Sequence, residues 1–238
     1  MLLQITVGCS HNKCTFCGTY REKRFRIKGL SEIEEDILEA ASYGQFERVF
    51  LCDGDALIIP QKKLVPILES INTNIQGLKR IGTYGNAKSI LRKTPEELKQ
   101  LRELGIKVVY LGVETGNEFL LNKINKGVAY TQMVEAGRRV KEAGIKLSVT
   151  VLLGIGGKEK SVDHARDTAK ILTDIDPDYV GALTVMIIPV RCCMMNIFQK
   201  HSNFPIHLDF LKNLVPSCLI PILRIVFLHP TTHQITCL

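Results

Sequence analysis

Tryptophan is absent from the 238 residues, and glycine disappears after Gly181. From Val190 to the C terminus there is one acid, Asp209, in 49 residues. A clean hydrophobic run is also missing. The most apolar stretch, Leu208–Leu228, is broken by Lys212, Pro216, Pro221 and Arg224, whereas a spanning helix needs about 20 apolar residues. This argues against a membrane segment. A secretory leader is not expected either, since MLLQITV precedes a polar cluster without a basic n-region. The eight cysteines are therefore expected to be reduced thiols of a cytoplasmic protein, which favours metal binding or catalysis over disulfides.

What is present reads as a globular protein. Its net charge of +7 favours acidic partners but falls short of a nucleic-acid arm. The densest basic run, REKRFRIK at 21–28, is expected to be a solvated loop rather than an RNA surface. Over the first 185 or so residues, short apolar runs alternate with amphipathic stretches. Strands are predicted at Leu2–Val7, Arg48–Leu51, Arg80–Thr83, Val108–Leu111, Leu147–Leu153 and Tyr179–Ile188. Helices are predicted between them at Ser31–Ser42, Gln61–Ile71, Thr94–Leu104, Thr131–Ala143 and Val162–Ile175. Capping boxes are expected at Ser31 with Glu34 and at Thr94 with Glu97, the second supported by Pro95. LRELGIKVVYLGVETG (101–116) is echoed by VKEAGIKLSVTVLLGIGG (140–157), which marks a repeated helix–strand–loop unit. Parallel strands need such crossovers. The fold class is thus α/β, either an open doubly wound sheet or a partial (β/α)6 barrel, with its chemistry at the C-terminal strand ends. A core is expected at 1–189 and a distinct tail at 190–238. Four cysteines and four prolines fall in that tail and the rhythm stops. It is expected to be irregular, as a frameshifted end or a divergent extension.

Cys9, Cys14 and Cys17 occupy the loop leaving the first strand, spaced C-x4-C-x2-C. Three thiolates on one short loop can grip one face of a soft metal centre. A closed zinc site or a fully ligated [4Fe–4S] cluster needs a fourth protein ligand. His11 lies between two of the cysteines and is poorly placed to reach the same ion, and Cys52, at the end of the second strand, is another candidate. Three ligands alone leave one iron open to a substrate or cofactor. Zinc binding and buried free thiols are the plainer alternatives.

GCSHNKCTFC resembles the cluster loop of radical S-adenosylmethionine (radical SAM) enzymes. Its four-residue first gap and HNKCTFC wording resemble an elongator- and methylthiotransferase-like subgroup. The resemblance continues through GTYGNAKSILRKTPEEL, YLGVETG, INKG and PDYVGALTVMIIP, over about residues 2–189. It implies a partial (β/α)6 TIM-like barrel with a [4Fe–4S] cluster on Cys9, Cys14 and Cys17. S-adenosylmethionine would chelate the open iron. An electron from a low-potential donor such as flavodoxin or ferredoxin would then cleave the sulfonium to methionine and a 5′-deoxyadenosyl radical. No residue marks the substrate. Two readings compete with this enzyme: a zinc- or iron–sulfur-binding module without catalysis, and a truncated, inactive fragment.

The resemblance also implies that Phe16 lies beside the adenine. Asp53, Gly54 and Asp55 of CDGDA stand where the family has a Gly-Gly-Glu-like turn facing the methionine ammonium. Glu114 of GVETG would accept from ribose hydroxyls or from that ammonium. Asn86, after the third strand, is a further candidate polar contact. The plainer alternatives are a Phe16 that seats the loop on the core, a solvated turn at CDGDA, and a Glu114 stabilised by a following helix N-terminus. GIGGK (154–158) lacks phosphate-loop spacing and is expected to be a flexible loop near the adenosyl group. His164 is expected at the surface, Arg138 and Arg139 in solvent, and the Cys192–Cys193 pair to be incidental.

Overall fold

The first expected strand is two strands. In the computed structural model, Leu2–Gln4 (β1) belongs to the main sheet, whereas Thr6–Val7 (β2) turns away and pairs antiparallel with Arg26–Ile27 (β3). This small ribbon closes the base of the loop that carries the three cysteines. Helix Leu30–Ser42 (α1) follows, and the expected Ser31–Glu34 capping box does not form at its start. Gly29 caps it instead, with its carbonyl accepting from Ile33 N. Arg26 and Lys28 of the basic run are not free in solvent. Arg26 pairs with Glu32, and Lys28 pairs with Glu32 and Asp36, so the chain is held to the first turns of α1.

The remaining strands and long helices alternate as expected, and two short helices not foreseen, Ala87–Leu91 and Glu118–Lys123, join them. They are Arg48–Cys52 (β4), Gln61–Asn74 (α2), Arg80–Gly85 (β5), Ala87–Leu91 (α3), Pro95–Glu103 (α4), Ile106–Glu114 (β6), Glu118–Lys123 (α5), Tyr130–Glu142 (α6), Lys146–Leu153 (β7), Ser161–Ile175 (α7) and Tyr179–Thr184 (β8). Residues 1–185 are described, together with the backbone of two further strands, Ile225–Leu228 (β9) and Ile235–Cys237 (β10). The end of the expected strand at Ile188 and the Cys192–Cys193 pair lie outside the described residues. The sheet order is β1-β4-β5-β6-β7-β8-β9-β10. The neighbours β1/β4, β4/β5, β5/β6, β7/β8 and β8/β9 are parallel, and β9/β10 is antiparallel. The architecture is α/β with a mostly parallel sheet. Its first six strands are the six expected ones, and β9 and β10 lie in the stretch whose sequence shows no rhythm.

The chain divides into two compact units. One comprises Met1–Ser10, Glu22–Leu111 and Ala136–Leu147, and the other His11–Arg21, Gly112–Glu135 and the chain from Ser148. In the first, alternate residues of β4 (Val49, Leu51) are buried with Leu3 and Ile5, as are Ile33 and Ile37 of α1 and Leu64, Leu68 and Ile71 of α2. The period of two in the strands and of 3.6 in the helices brings these apolar faces into one core. Helix α4 begins with the expected box: Thr94 Oγ1 accepts from Glu97 N, and Glu97 reaches back to Thr94 N. The repeated unit is also real. Helices α4 and α6 each give way to a left-handed glycine, Gly105 or Gly144, before β6 and β7. In the second unit α7 buries Ala165, Ala169, Ile171, Leu172 and Ile175.

Candidate functional site

The candidate residues fall where strands end, as parallel topology dictates. In the first unit, the loop after β2 is tied to the loop after β4. Asp53 Oδ2 accepts from Gln4 Nε2 and from Gly8 N, both at 2.9 Å. Asp53 N donates to Thr6, and Gly54 N donates to Gly8 O at 3.1 Å. Asp55 is fully buried. Its Oδ2 accepts from Ser10 Oγ at 2.5 Å and Ser89 Oγ at 2.6 Å, and its Oδ1 from Asn86 N at 3.2 Å. Burial pushes the Asp55 carboxyl above its ordinary value, against the pull of these hydrogen bonds. CDGDA is therefore a braced junction rather than a solvated turn. Both carboxylates are engaged by the segment around half-buried Cys9. Asn86 adds its backbone N–H to this network, while its side chain caps α3 by accepting from Lys88 N. Burial also raises the Cys52 thiol, with a further push from Asp53.

The second unit holds Cys14, Phe16 and Cys17 by other means. Thr15 N donates to Ile124 O at 2.9 Å, Asn125 Nδ2 to Lys13 O at 3.1 Å, and His11 Nε2 to Asn125 O at 2.8 Å. His11 thus binds the INKG segment. Phe16 packs on Leu120, Ile124, Leu152 and Ile155. Glu114 ends β6 with φ +66°, a left-handed backbone that costs a non-glycine residue on the order of 1–3 kcal/mol. Its Oε1 lies 2.7 Å from Lys126 Nζ, and both side chains are largely buried. Lys126 Nζ also sits over the Phe16 ring, 6.0 Å from its centroid. Gly112 makes room for this pair, since a Cβ there would meet Glu114 Oε1 at 2.3 Å and Lys126 Nζ at 3.0 Å. The sequence singled out INKG but gave Lys126 no role. Its signal was a lone cation a few residues past a short helix, which is too common to read.

His164 corrects an expectation. It is 1% exposed rather than superficial. Nε2 donates to Leu152 O at 3.0 Å, so Nδ1 is the acceptor, facing the hydroxyls of Thr115 at 2.8 Å and Thr168 at 3.2 Å. Burial pushes its pKa down to about 4, and the ring is neutral at pH 7. The signal was available: His164 shares a helical stripe with Thr168, Ile171, Leu172 and Ile175. In the first unit, Phe50, Tyr84 and Tyr110 were also passed over. Their rings meet edge to face at 4.9–6.0 Å between centroids. Phe50 and Tyr110 line a cavity of about 240 Å³.

The donor set suits a soft iron–sulfur group. None of Cys9, Cys14 and Cys17 is in a disulfide. The one buried side-chain polar atom without a partner among the described residues is Thr15 Oγ1, between two of them. Thiols beside an unpaired hydroxyl match an iron–sulfur centre, whose ligands are thiolates and whose sulfurs accept hydrogen bonds. Among the described residues, no three His, Cys, Asp or Glu side chains converge on a single-ion site.

Residues 3–171 match the Radical SAM superfamily model. The chain belongs to the radical SAM superfamily. Members of this superfamily use a [4Fe–4S] cluster and S-adenosylmethionine and need a substrate and a reductant. The chain is 26% identical over 181 residues to a tRNA-2-methylthio-N(6)-dimethylallyladenosine synthase of Dehalococcoides mccartyi, covering 74% of this chain and 43% of that one. It is 21% identical over 199 residues to the heme chaperone HemW of Bacillus subtilis, covering 81% and 52%. The chain thus spans about half the length of these curated relatives. Among solved structures, Escherichia coli coproporphyrinogen III oxidase (HemN), a radical SAM enzyme, superposes with a TM-score of 0.71 at 15% identity, over 90% of this chain and 51% of that one. The shared fold is the partial TIM barrel expected from the sequence. No helix among the described residues is long and apolar enough to cross a membrane.

Proposed function

We propose that residues 1–189 form the cofactor-binding core of a radical SAM enzyme, with Cys9, Cys14 and Cys17 holding the [4Fe–4S] cluster. The carrying observation is the trio of uncrosslinked thiols in the loop leaving the first strand of a radical SAM chain. When bound, the cluster supplies the electron that splits S-adenosylmethionine into methionine and a 5′-deoxyadenosyl radical, the hard chemistry being the cofactor's own. The protein orients and shields. Glu114, with Oε1 held by Lys126, offers its other oxygen to ribose hydroxyls or to the methionine ammonium. Phe16, seated on Leu120 and Ile124, presents its ring to the adenine. Gly54 supplies close backbone approach beside the cofactor ammonium. Asp53 and Asp55 serve the site indirectly, by bracing the Cys9 segment. Asn86 does the same through its N–H to Asp55.

Reduced thiols suit a cytoplasmic enzyme fed by flavodoxin or ferredoxin. Anaerobic reconstitution tests the assignment. A brown protein with about four irons per chain, turning S-adenosylmethionine over to 5′-deoxyadenosine under dithionite, is the expected result. A colourless, zinc-loaded protein would support the non-catalytic module instead.

A further inference from the structure

Glu114 occupies a backbone conformation that residues other than glycine avoid, and such a residue persists only where its surroundings over-determine it. The surroundings here are one hydrogen-bonded clamp between the loop after β6 and helix α7. Thr115 Oγ1 bonds His164 Nδ1 at 2.8 Å and also accepts from Asn117 N at 3.0 Å. Gly116 N donates to Thr168 Oγ1 at 3.2 Å, and Asn117 bonds the Asp167 carboxylate. The contact is close enough that a Cβ on Gly116 would stand 1.9 Å from Asp167 O. From its other nitrogen, His164 holds Leu152 O near the end of β7 at 3.0 Å. Its Cβ would lie 3.2 Å from a Cβ built on Gly156, in the loop that follows. One neutral imidazole thus joins the loop bearing Glu114 to the end of β7.

We propose that His164 is a positioning residue: through Thr115 it holds Glu114 in its left-handed conformation and so aims the carboxylate at bound S-adenosylmethionine. His164 is one residue removed from the contact and touches neither cofactor nor reacting atoms. The proposal rests on the assignment of Glu114 to the cofactor site. A plain structural role predicts only lost stability. A positioning role predicts weaker cofactor binding in protein that still folds and loads iron, and an effect that vanishes once Glu114 is altered.

The experiment is a double-mutant cycle on reconstituted protein, reading the equilibrium Kd for S-adenosylmethionine, iron content and circular dichroism. Thr115→Val removes the hydroxyl at nearly constant volume and avoids the cavity that His164→Ala opens. Thr115→Val and His164→Ala are each expected to raise Kd about tenfold, roughly 1.4 kcal/mol, with iron content retained. Thr115→Ser, which keeps the hydroxyl, should stay within about twofold of the wild type. In a Glu114→Gln background, Thr115→Val should add little. Unchanged Kd in Thr115→Val, or full additivity with Glu114→Gln, overturns the positioning role while leaving the family assignment intact. Glu114→Gln binding as tightly as wild type would instead remove Glu114 from the site, and this inference with it.

Discussion

The two halves of the cysteine loop are secured by opposite physics. Around Cys9, two carboxylates do the holding: Asp53 accepts from Gly8 and Gln4, and buried Asp55 from Ser10 and Ser89. Around Cys14 and Cys17, bonds from Thr15 N and from the His11 and Asn125 side chains to main-chain carbonyls, with the packing of Phe16, do it, and one buried hydroxyl stays unpaired. The first half is a charged network whose members need one another. The second is a templated turn with one open valence. The difference is between a segment fixed by side-chain carboxylates and one fixed by main-chain carbonyls and packing.

The sharpest break of this comparison is at the thiols themselves. Cys14→Ala should lower bound iron from about four per chain to background and abolish 5′-deoxyadenosine formation, as measured by iron assay and chromatography. Retained cleavage would sink the assignment. Next in size is Gly116→Ala, which drives a methyl into Asp167 O. It should cost about 3 kcal/mol or more in urea unfolding, and a loss under 1 kcal/mol would mean that the clamp yields.

Acid should act on the two units in opposite senses. The folded pKa of His164 lies near 4, below the unfolded value of 6.5. Its contribution is complete above pH 6.5 and is lost as the pH falls towards 4, on the order of 3 kcal/mol. Asp55 is raised on folding, so its contribution is greatest in acid and is lost as the pH rises through the folded value. Urea midpoints followed from pH 7 into acid should therefore show a drop that His164→Gln removes, while Asp55→Asn removes the opposing gain that sets in below the folded value of Asp55. Equal slopes in all three proteins would erase the contrast.

Lys126→Met strips Glu114 of its partner, and S-adenosylmethionine affinity should fall about tenfold while the fold is kept, an effect sized as a hydrogen bond to a charged group. Equilibrium binding checks it, and an unchanged Kd would make the pair incidental. The smallest effect belongs to the open valence. Thr15→Val should raise the stability of the iron-free protein by about 1 kcal/mol, because a buried hydroxyl without a partner carries its desolvation cost. Calorimetry would detect that as a higher Tm.

Much of this was legible beforehand. The β/α alternation, the α4 capping box, the repeated unit and the cysteine loop follow from local periodicity and spacing, and the structure holds them all. The Ser31–Glu34 box does not form because the helix already begins at Leu30, with Gly29 as its cap, which places Ser31 inside the first turn. The split of β1 from β2 was hidden because its cause, pairing with β3, lies some 20 residues away in sequence. CDGDA reads in sequence as a cofactor-facing turn or a solvated one, and neither reading foresees the burial of Asp55, because Asp-Gly-Asp looks hydrophilic. Three partners distant in sequence make burial of Asp55 tolerable.

Order along the chain was therefore enough to bring out the family resemblance, the strand–helix alternation of a parallel sheet and a loop of three closely spaced cysteines, since each is read from neighbours within a few residues. Folding alone decided which polar groups are buried in the hydrogen-bond networks of the scaffold and which are not. A carboxylate or imidazole takes its role from the atoms packed around it. For Asp55, Glu114 and His164 those atoms belong to Ser10 and Ser89, to Lys126, and to Thr115 and Leu152.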